Sequence, residues 1–428
     1  MMARRFHILI FALCAATSLA AQNNLDYYIS AAKVNSPLIQ DNKNLSEAAK
    51  IEVERLKAYY SQPQISLSGT YTFAPIISLE NTKPQFVANP SDANRYAGYD
   101  IAASNGGVYQ GLINVNQPLF NAEKLKTASD QAVIAGQINQ NNIQISSHDI
   151  EKMVTDQYIL CLQDLKQMDY SNTMIKLIDD QKFMVNKFAE SGLMKQSDVL
   201  LVSIESQTQQ NAASAFKATY KRDLMDLNIL CGINDTNYIV LSEITLTTNV
   251  PIQDSKFTQK YTLDSLNFSI AEQVYELKYK PQLFAFANAG LNAVYMPTLP
   301  NRFGMSAGIN FSWNLYDGKQ KEYFQKKTNL QILSNLAYKN NFITQNDVRK
   351  NKILNDITSL DNRMTIAAAQ LTDYQTLLDY YKKELITGQQ SVVTYVNTVK
   401  NLSALQRDFV LMQTNKQLLI NMYNYWNW

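Results

Sequence analysis

Side chains that commonly do chemistry are sparse in this chain of 428 residues, which holds two histidines and three cysteines. His7 and Cys14 fall in an N-terminal stretch patterned like a secretory leader, leaving His148, Cys161 and Cys231. One histidine cannot build a multi-histidine metal site and offers little for acid–base catalysis. Two cysteines could pair in an oxidising compartment. Counted from a helical turn at Gly192, however, Cys161 lies 31 residues before and Cys231 39 residues after. On helices that mismatch is an axial offset of roughly 12 Å, too far for a disulfide. Two reduced, packed cysteines are expected. No carboxylate pair, nucleophile triad or phosphate-cradling loop stands out, so the residues predict no enzyme, no cofactor and no metal.

The residues whose placement does carry an argument are two glycines. Gly192, followed by Leu193, and Gly388, followed by Gln389, each close a long polar, helix-favouring run. Glycine readily supplies the positive φ needed where a helix turns back. Phe120 and Gly192 are 72 residues apart, as are Tyr316 and Gly388. At about 1.5 Å per residue, a helix of that length reaches on the order of 100 Å. Such helices need a partner along their length. Ile353, Ile357, Leu360, Met364, Ala367, Leu371, Tyr374, Leu378 and Tyr381 alternate steps of 4 and 3, as do Val154, Tyr158, Cys161, Leu165 and Met168. A period of 3.5 predicts coiled-coil seams. On the returning arm, Val392, Val396 and Val399 begin the pattern, and Leu402, Leu405, Phe409 and Met412 drift from it.

Between the helices lie strand-like segments. Ile65, Leu67, Gly69, Tyr71 and Phe73 alternate with Gln64, Ser66, Ser68, Thr70 and Thr72; Met305 to Leu315 alternates likewise, as does the stretch around Tyr109 to Val115. The segment Gln282 to Asn292 is mixed, with Phe284 and Phe286 sharing a face with Asn288 and Asn292. A half-buried soluble sheet has the same period. The polar faces carry almost no charge, however, and the apolar faces end in Tyr71, Phe73, Phe311 and Trp313, which favours a membrane barrel with an aromatic girdle.

The expected organisation is a signal peptide over 1–21, a first structural repeat over 22–233, a connector over 234–262 and a second repeat over 263–428. Each repeat runs helix, two strands, long helical hairpin. Roughly Leu25 to Tyr60 reads as one helix, ended at Gln62-Pro63, and roughly Leu263 to Lys278 as its counterpart, ended at Lys280-Pro281. Loops from about Pro75 to Asn105 and near Pro297 to Arg302 are expected outside the cell. The formal net charge of +2 falls to zero without Arg4 and Arg5, so nothing suggests a nucleic-acid partner. No run beyond the leader is long and apolar enough for a membrane helix.

Four strands cannot cross a bilayer alone, because open edges would leave backbone groups unpaired in hydrocarbon. Two copies would give eight strands, a barrel filled by its own side chains; three would give twelve strands and a lumen. The expected fold is therefore an α+β membrane protein. It is internally duplicated, with four β-strands per chain contributing to a shared twelve-stranded trimeric barrel and long coiled-coil hairpins forming a periplasmic tunnel.

With these landmarks assembled, the chain resembles the TolC-like outer membrane factors along essentially its whole mature length. The resemblance rests on Asn35-Ser36-Pro37-Leu38, Pro63-Gln64-Ile65, Gln117-Pro118-Leu119-Phe120, Gly192-Leu193, Asp198-Val199-Leu200, Pro281-Gln282-Leu283, Leu315-Tyr316-Asp317-Gly318 and Gly388. It implies a homotrimeric channel through the outer membrane and periplasm, touching outer-membrane lipid. Such a channel is the exit duct of a tripartite efflux pump, or of a type I secretion system, served by a periplasmic adaptor and an inner-membrane pump. It also implies that Gly192, Leu193 and Gly388 contact the adaptor. Asp198 matches a gating Asp of the family. Where well-known members carry gating Tyr and Arg, this chain holds Leu385 and Gln390, and Thr394 and Asn397 replace an acidic ring. The resemblance therefore implies an entrance closed by packing and neutral hydrogen bonds, while Asp198 reads equally as a residue favoured at a helix start. From another class, a coiled-coil adhesive or structural surface protein with a β-barrel anchor remains an alternative.

Overall fold

The computed structural model describes residues 24–80, 82–87, 95–97 and 107–428. The expected leader and much of the loop from Pro75 to Asn105, Pro90 included, lie outside the described residues. The described chain is mostly helical, with one four-stranded antiparallel sheet and a small three-stranded one. It divides into two compact units, each assembled from both halves of the sequence.

The sheet unit comprises residues 45–139 and 261–336. Its strands are β1 (Gln64–Phe73), β2 (Ile76–Ser78), β3 (Gln85–Val87), β4 (Tyr96–Ala97), β5 (Gly107–Leu119), β6 (Gln282–Ala293) and β7 (Phe303–Ser312). The large sheet runs β1-β5-β6-β7 with every neighbour antiparallel, and the small one runs β3-β2-β4. Register places like with like. Ile65 faces Val115, Leu67 faces Ile113 and Tyr71 faces Tyr109. Ile113 in turn faces Ala289 and Val115 faces Ala287, while Leu283 faces Phe311 and Ala289 faces Met305. Because strand side chains alternate between faces, these residues make one apolar face. Gln64, Ser66, Ser68, Asn114, Asn288 and Ser306 share the other, where Asn114 donates to Ser68 at 2.8 Å and Ser306 to Asn288 at 2.9 Å. Phe284 and Phe286 do fall on this polar face, opposite Asn310 and Gly308.

None of the four long strands contains a charged residue. The apolar face is open in the single chain, with Leu67 80% and Met305 82% exposed. An exposed face so apolar marks an interaction surface.

Among the described residues, the helical unit comprises 24–44, 140–260 and 337–428. Its elements are α1 (Leu25–Asn35), the first turns of α2 (Pro37–Ser61), most of α3 (Ala122–Glu190), α4 (Gln196–Cys231), most of α6 (Gln320–Ile386) and α7 (Val392–Trp426). Helix α5 (Gln259–Glu276) lies almost wholly in the sheet unit. The single helix expected from Leu25 to Tyr60 is two. Proline disfavours helical geometry in the residue before it, so Ser36 turns extended (φ −69°, ψ 117°) ahead of Pro37.

Burial follows the 3.5-residue seam on α6, where Ile353, Ile357, Ala367 and Leu378 are buried. On α7 the seam does not drift. Val392, Val396, Val399, Ser403, Gln406, Val410 and Thr414 are all buried, so the period continues while its residues turn polar. Cys161 and Cys231 are free thiols, packed with Tyr28, Tyr158, Tyr220 and Leu224 in one cluster. Burial pushes the Cys231 thiol up to about 12, so neither nucleophilic nor metal-binding thiolate is at hand. His148 stacks between Tyr425 and Trp428, at ring distances of 4.8 and 4.2 Å.

From residue 234 to 255 the connector after α4 forms no helix and joins no strand. Side chains hold its backbone instead. Tyr220 donates to the Ile239 carbonyl and Tyr158 to the Ser242 carbonyl. Asn424 accepts from Asn249 N–H and donates to the Thr247 carbonyl, both at 2.8 Å. Asn427 treats Ile252 and Val250 the same way, at 3.0 and 2.8 Å.

Candidate functional site at the hairpin tips

Both long hairpins turn through the same hydrogen-bond pattern. At the first, Leu193 N–H donates to the Phe188 carbonyl at 2.8 Å and Gly192 N–H to the Ala189 carbonyl at 3.0 Å. At the second, Gln389 N–H donates to Glu384 at 2.9 Å and Gly388 N–H to Leu385 at 3.2 Å. These are the paired bonds that close a helix on a left-handed glycine, and φ is +75° at Gly192 and +72° at Gly388. Leu193 projects from its turn 73% exposed. The three residues expected to meet a partner therefore stand at exposed turns.

The helices that follow restart differently. On α4, the Asp198 carboxylate accepts from Lys195 N–H at 3.2 Å. On α7, Ser391 Oγ accepts from Thr394 N–H at 3.2 Å and lies 2.9 Å from Thr394 Oγ1. Gln390 Oε1 takes the Ser391 N–H at 2.9 Å. Asp198 and Thr394 each occupy the third position of their helix, and Asn397 is exposed one turn on. Among the described residues no hydrogen bond joins Asp198 to Gln390, Thr394 or Asn397. Asp198, Gln390 and Thr394 each bond within their own turn, with the Asp198 carboxylate closing the start of α4.

What brings the two hairpins together is a core behind the turns. Ile178, Val185 and Val202 of the first pack with Leu378, Leu385, Val392, Tyr395 and Val399 of the second. Leu385 is 1% exposed, so it belongs to this core and lines no opening. Burial, then the charges of Asp379 and Asp180, pushes the Tyr395 hydroxyl up to about 12, keeping it a neutral donor.

Farther from the tips the contact turns polar. Lys400 Nζ lies 3.6 Å from Glu205 Oε2, and Glu205 is 2% exposed. Gln209 donates to Glu205 at 2.9 Å and accepts from Ser403 at 3.3 Å. Ser206 donates to Asp179 at 2.7 Å, and Gln167 reaches the Arg407 carbonyl at 3.1 Å. A buried carboxylate needs such partners. Sequence reasoning missed these links; their only signal was a polar run, Ser203 to Gln210, crossing seam positions of α4. Among the described residues no group of His, Cys, Asp and Glu could hold a metal ion, and no helix is long and apolar enough to cross a membrane.

Comparison with family models gives no match, and comparison with curated proteins gives none either. Solved structures do match. The outer membrane protein VceC from Vibrio cholerae is 13% identical with a TM-score of 0.68, covering 94% of this chain and 96% of that one. The Campylobacter jejuni CmeC outer membrane channel is 11% identical with a TM-score of 0.68, covering 94% and 85%. The open-state MtrE outer membrane channel of Neisseria gonorrhoeae is 10% identical with a TM-score of 0.68, covering 95% and 89%. Across nearly its whole described length, the chain has the fold of outer-membrane channels.

Proposed function

We propose that this protein is an outer-membrane channel, the exit duct of a tripartite efflux pump that passes small molecules such as drugs to the outside. The observation that carries this reading is the sheet. Its strands are free of charge, its apolar face is exposed, and β1 and β7 each lack a second neighbour among the described residues. With an even number of antiparallel strands, β1 and β7 run in opposite senses. The β7 edge of one copy can therefore pair antiparallel with the β1 edge of the next, and three copies close twelve strands around a lumen lined mainly by Ser, Thr, Asn and Gln, with Phe284 and Phe286 among them. The helical hairpins then extend into the periplasm, with Gly192, Leu193 and Gly388 meeting an adaptor protein and an inner-membrane pump behind it. The same channel fold is what the similar solved structures have in common with this chain.

The entrance in this reading is neutral. Gln390, Thr394 and Asn397 carry no charge, and Asp198 is held at its helix start. Transport through such a duct is not catalysis. A type I secretion duct would use the same wall, and co-purification of native protein with its adaptor and pump separates the two.

Conductance of purified protein in planar bilayers, with cross-linked subunits counted by gel electrophoresis, tests the proposal. Trimers that conduct, with strains lacking the protein becoming drug-sensitive, are expected. A monomer without conductance would overturn it. Strong block of the entrance by divalent cations would overturn the neutral gate alone.

A further inference from the structure

Where β7 leaves the sheet, its apolar alternation continues through Phe311, Trp313 and Leu315 to a cavity of about 470 Å³. The cavity is lined by Tyr279, Trp313, Leu315, Tyr316, Lys319 and Lys321, among others. Most of its charged wall is already satisfied. Asp317 accepts from the Tyr279 hydroxyl, from Gln320 N–H at 3.1 Å and from Lys321 N–H at 2.8 Å. Lys321 pairs with Glu276 at 3.2 Å, and Glu322 with Lys326 at 2.6 Å. Trp313 donates to the Tyr279 carbonyl at 3.1 Å.

Lys319 is different. Among the described residues its ammonium has no hydrogen-bond or ion-pair partner, and its backbone sits at φ +68°. A lysine gains nothing locally from the left-handed region, and such outliers gather at binding sites. Beside it, Leu315 and Tyr316 are 77% and 81% exposed. One unpaired cation, a free phenol and an open apolar wall, adjoining a charge-free sheet face, match a molecule with a phosphate at one end and hydrocarbon at the other.

We propose that this cavity binds the phosphodiester of an anionic glycerophospholipid, with Lys319 on the phosphate and the acyl chains against Trp313, Leu315 and the apolar sheet face. Aromatic side chains and lysines at the edge of a bilayer's hydrocarbon suit that ligand. The inference rests on the membrane reading of the sheet. The one charge on the wall without a partner among the described residues is the Lys319 ammonium, beside the neutral Asn314 and Tyr316, so phosphatidylglycerol, with its net negative charge, should be held better than zwitterionic phosphatidylcholine.

The test is native mass spectrometry of full-length protein released from vesicles of equal phosphatidylglycerol and phosphatidylcholine, preceded by vesicle flotation. Wild type is expected to float and to retain phosphatidylglycerol. Lys319→Glu should cut that retention at least five-fold, Lys319→Arg should keep it, and Lys382→Glu, on the helical unit, should leave it unchanged. Lys319→Gly relieves the left-handed backbone, so it should lose lipid while melting no lower than wild type. Equal retention of both lipids, or full retention by Lys319→Glu in protein that floats, would overturn the site. Wild type that fails to float would overturn the membrane reading beneath it.

Discussion

The two hairpin tips share one backbone and differ in almost every side chain. Gly192 and Gly388 turn at the same φ, with the same three carbonyl-closing bonds behind them. The helix after the first is started by the acid at its third position reaching back, and the helix after the second by a serine reaching forward. These are the two halves of one capping box, each hairpin keeping a different half. Behind the turn, the first hairpin presents Ala189 where the second buries Leu385. The difference teaches that a turn is specified by backbone needs while its neighbours are free to choose which hairpin anchors the shared core. Here the second hairpin supplies more of the anchor.

The sharpest way to break that comparison is to give the second tip the first tip's residue. Leu385→Ala should lower stability by about 2–4 kcal/mol, the usual cost of emptying a buried leucine site. Ala189→Gly, at the matching position, should cost about 1 kcal/mol at most. Thermal denaturation of the purified protein checks both; near-equal losses would mean that the tips share the anchoring load.

Next in size is a pH effect confined to the first hairpin. Burial, with Asp223 beside it, pushes the Asp164 carboxyl up to about 7, where the second hairpin has Leu360. A raised carboxylate contributes stability that is fully present below its unfolded value of about 4 and is lost as pH rises towards 7. Wild type should therefore lose on the order of 1–3 kcal/mol between pH 4 and 7 relative to Asp164→Asn. Melting temperatures across that range read the difference, and parallel curves would assign the buried carboxyl no role in stability.

Smaller, and equal, effects are expected at the turns themselves. Nothing lies within 4 Å of a Cβ built on Gly192 or Gly388, so alanine at either meets only the left-handed penalty of about 1 kcal/mol. Unequal losses would reveal a contact at one tip that the other lacks. The smallest effects are at the caps. Ser391→Ala should cost about 1 kcal/mol, whereas Lys195→Ser, by completing the first hairpin's box, should gain about 0.5 kcal/mol. Melting of the two single variants gives the signs.

Much of this was legible in the chain. Glycine at equal distances from matching landmarks marked the tips because only the backbone mattered there. The strand faces were legible because alternation survives in any sheet, including the aromatic misfits Phe284 and Phe286. The α7 seam was misread beyond Val399, because Ser403, Gln406 and Thr414 keep the period in polar residues and a search for apolar ones slides off it. The break at Pro37 is local, one extended residue at Ser36 between two helical runs, so helix-favouring composition on both sides hides it. The partnership of Glu205 with Lys400 could not be read, since it joins residues far apart on two hairpins. At the family's gating positions the sequence could not show which side chains stay local: Leu385 is buried in the core, and Asp198 and Thr394 bond within their own helix starts.

The connector carries one more consequence. Its stretch Ile244 to Val250, which ends at Pro251, is rich in β-branched residues and contains no charge and no proline, the composition from which self-pairing, aggregating strands are made. The amides of Gln417, Asn424 and Asn427 take up N–H and carbonyl groups along that backbone and hold it on a helix that no strand can extend. Three amide side chains thus keep this segment from pairing with its own kind, and exchanging Asn424 and Asn427 for aspartates, which cannot donate to the carbonyls, should raise aggregation on refolding, read by light scattering.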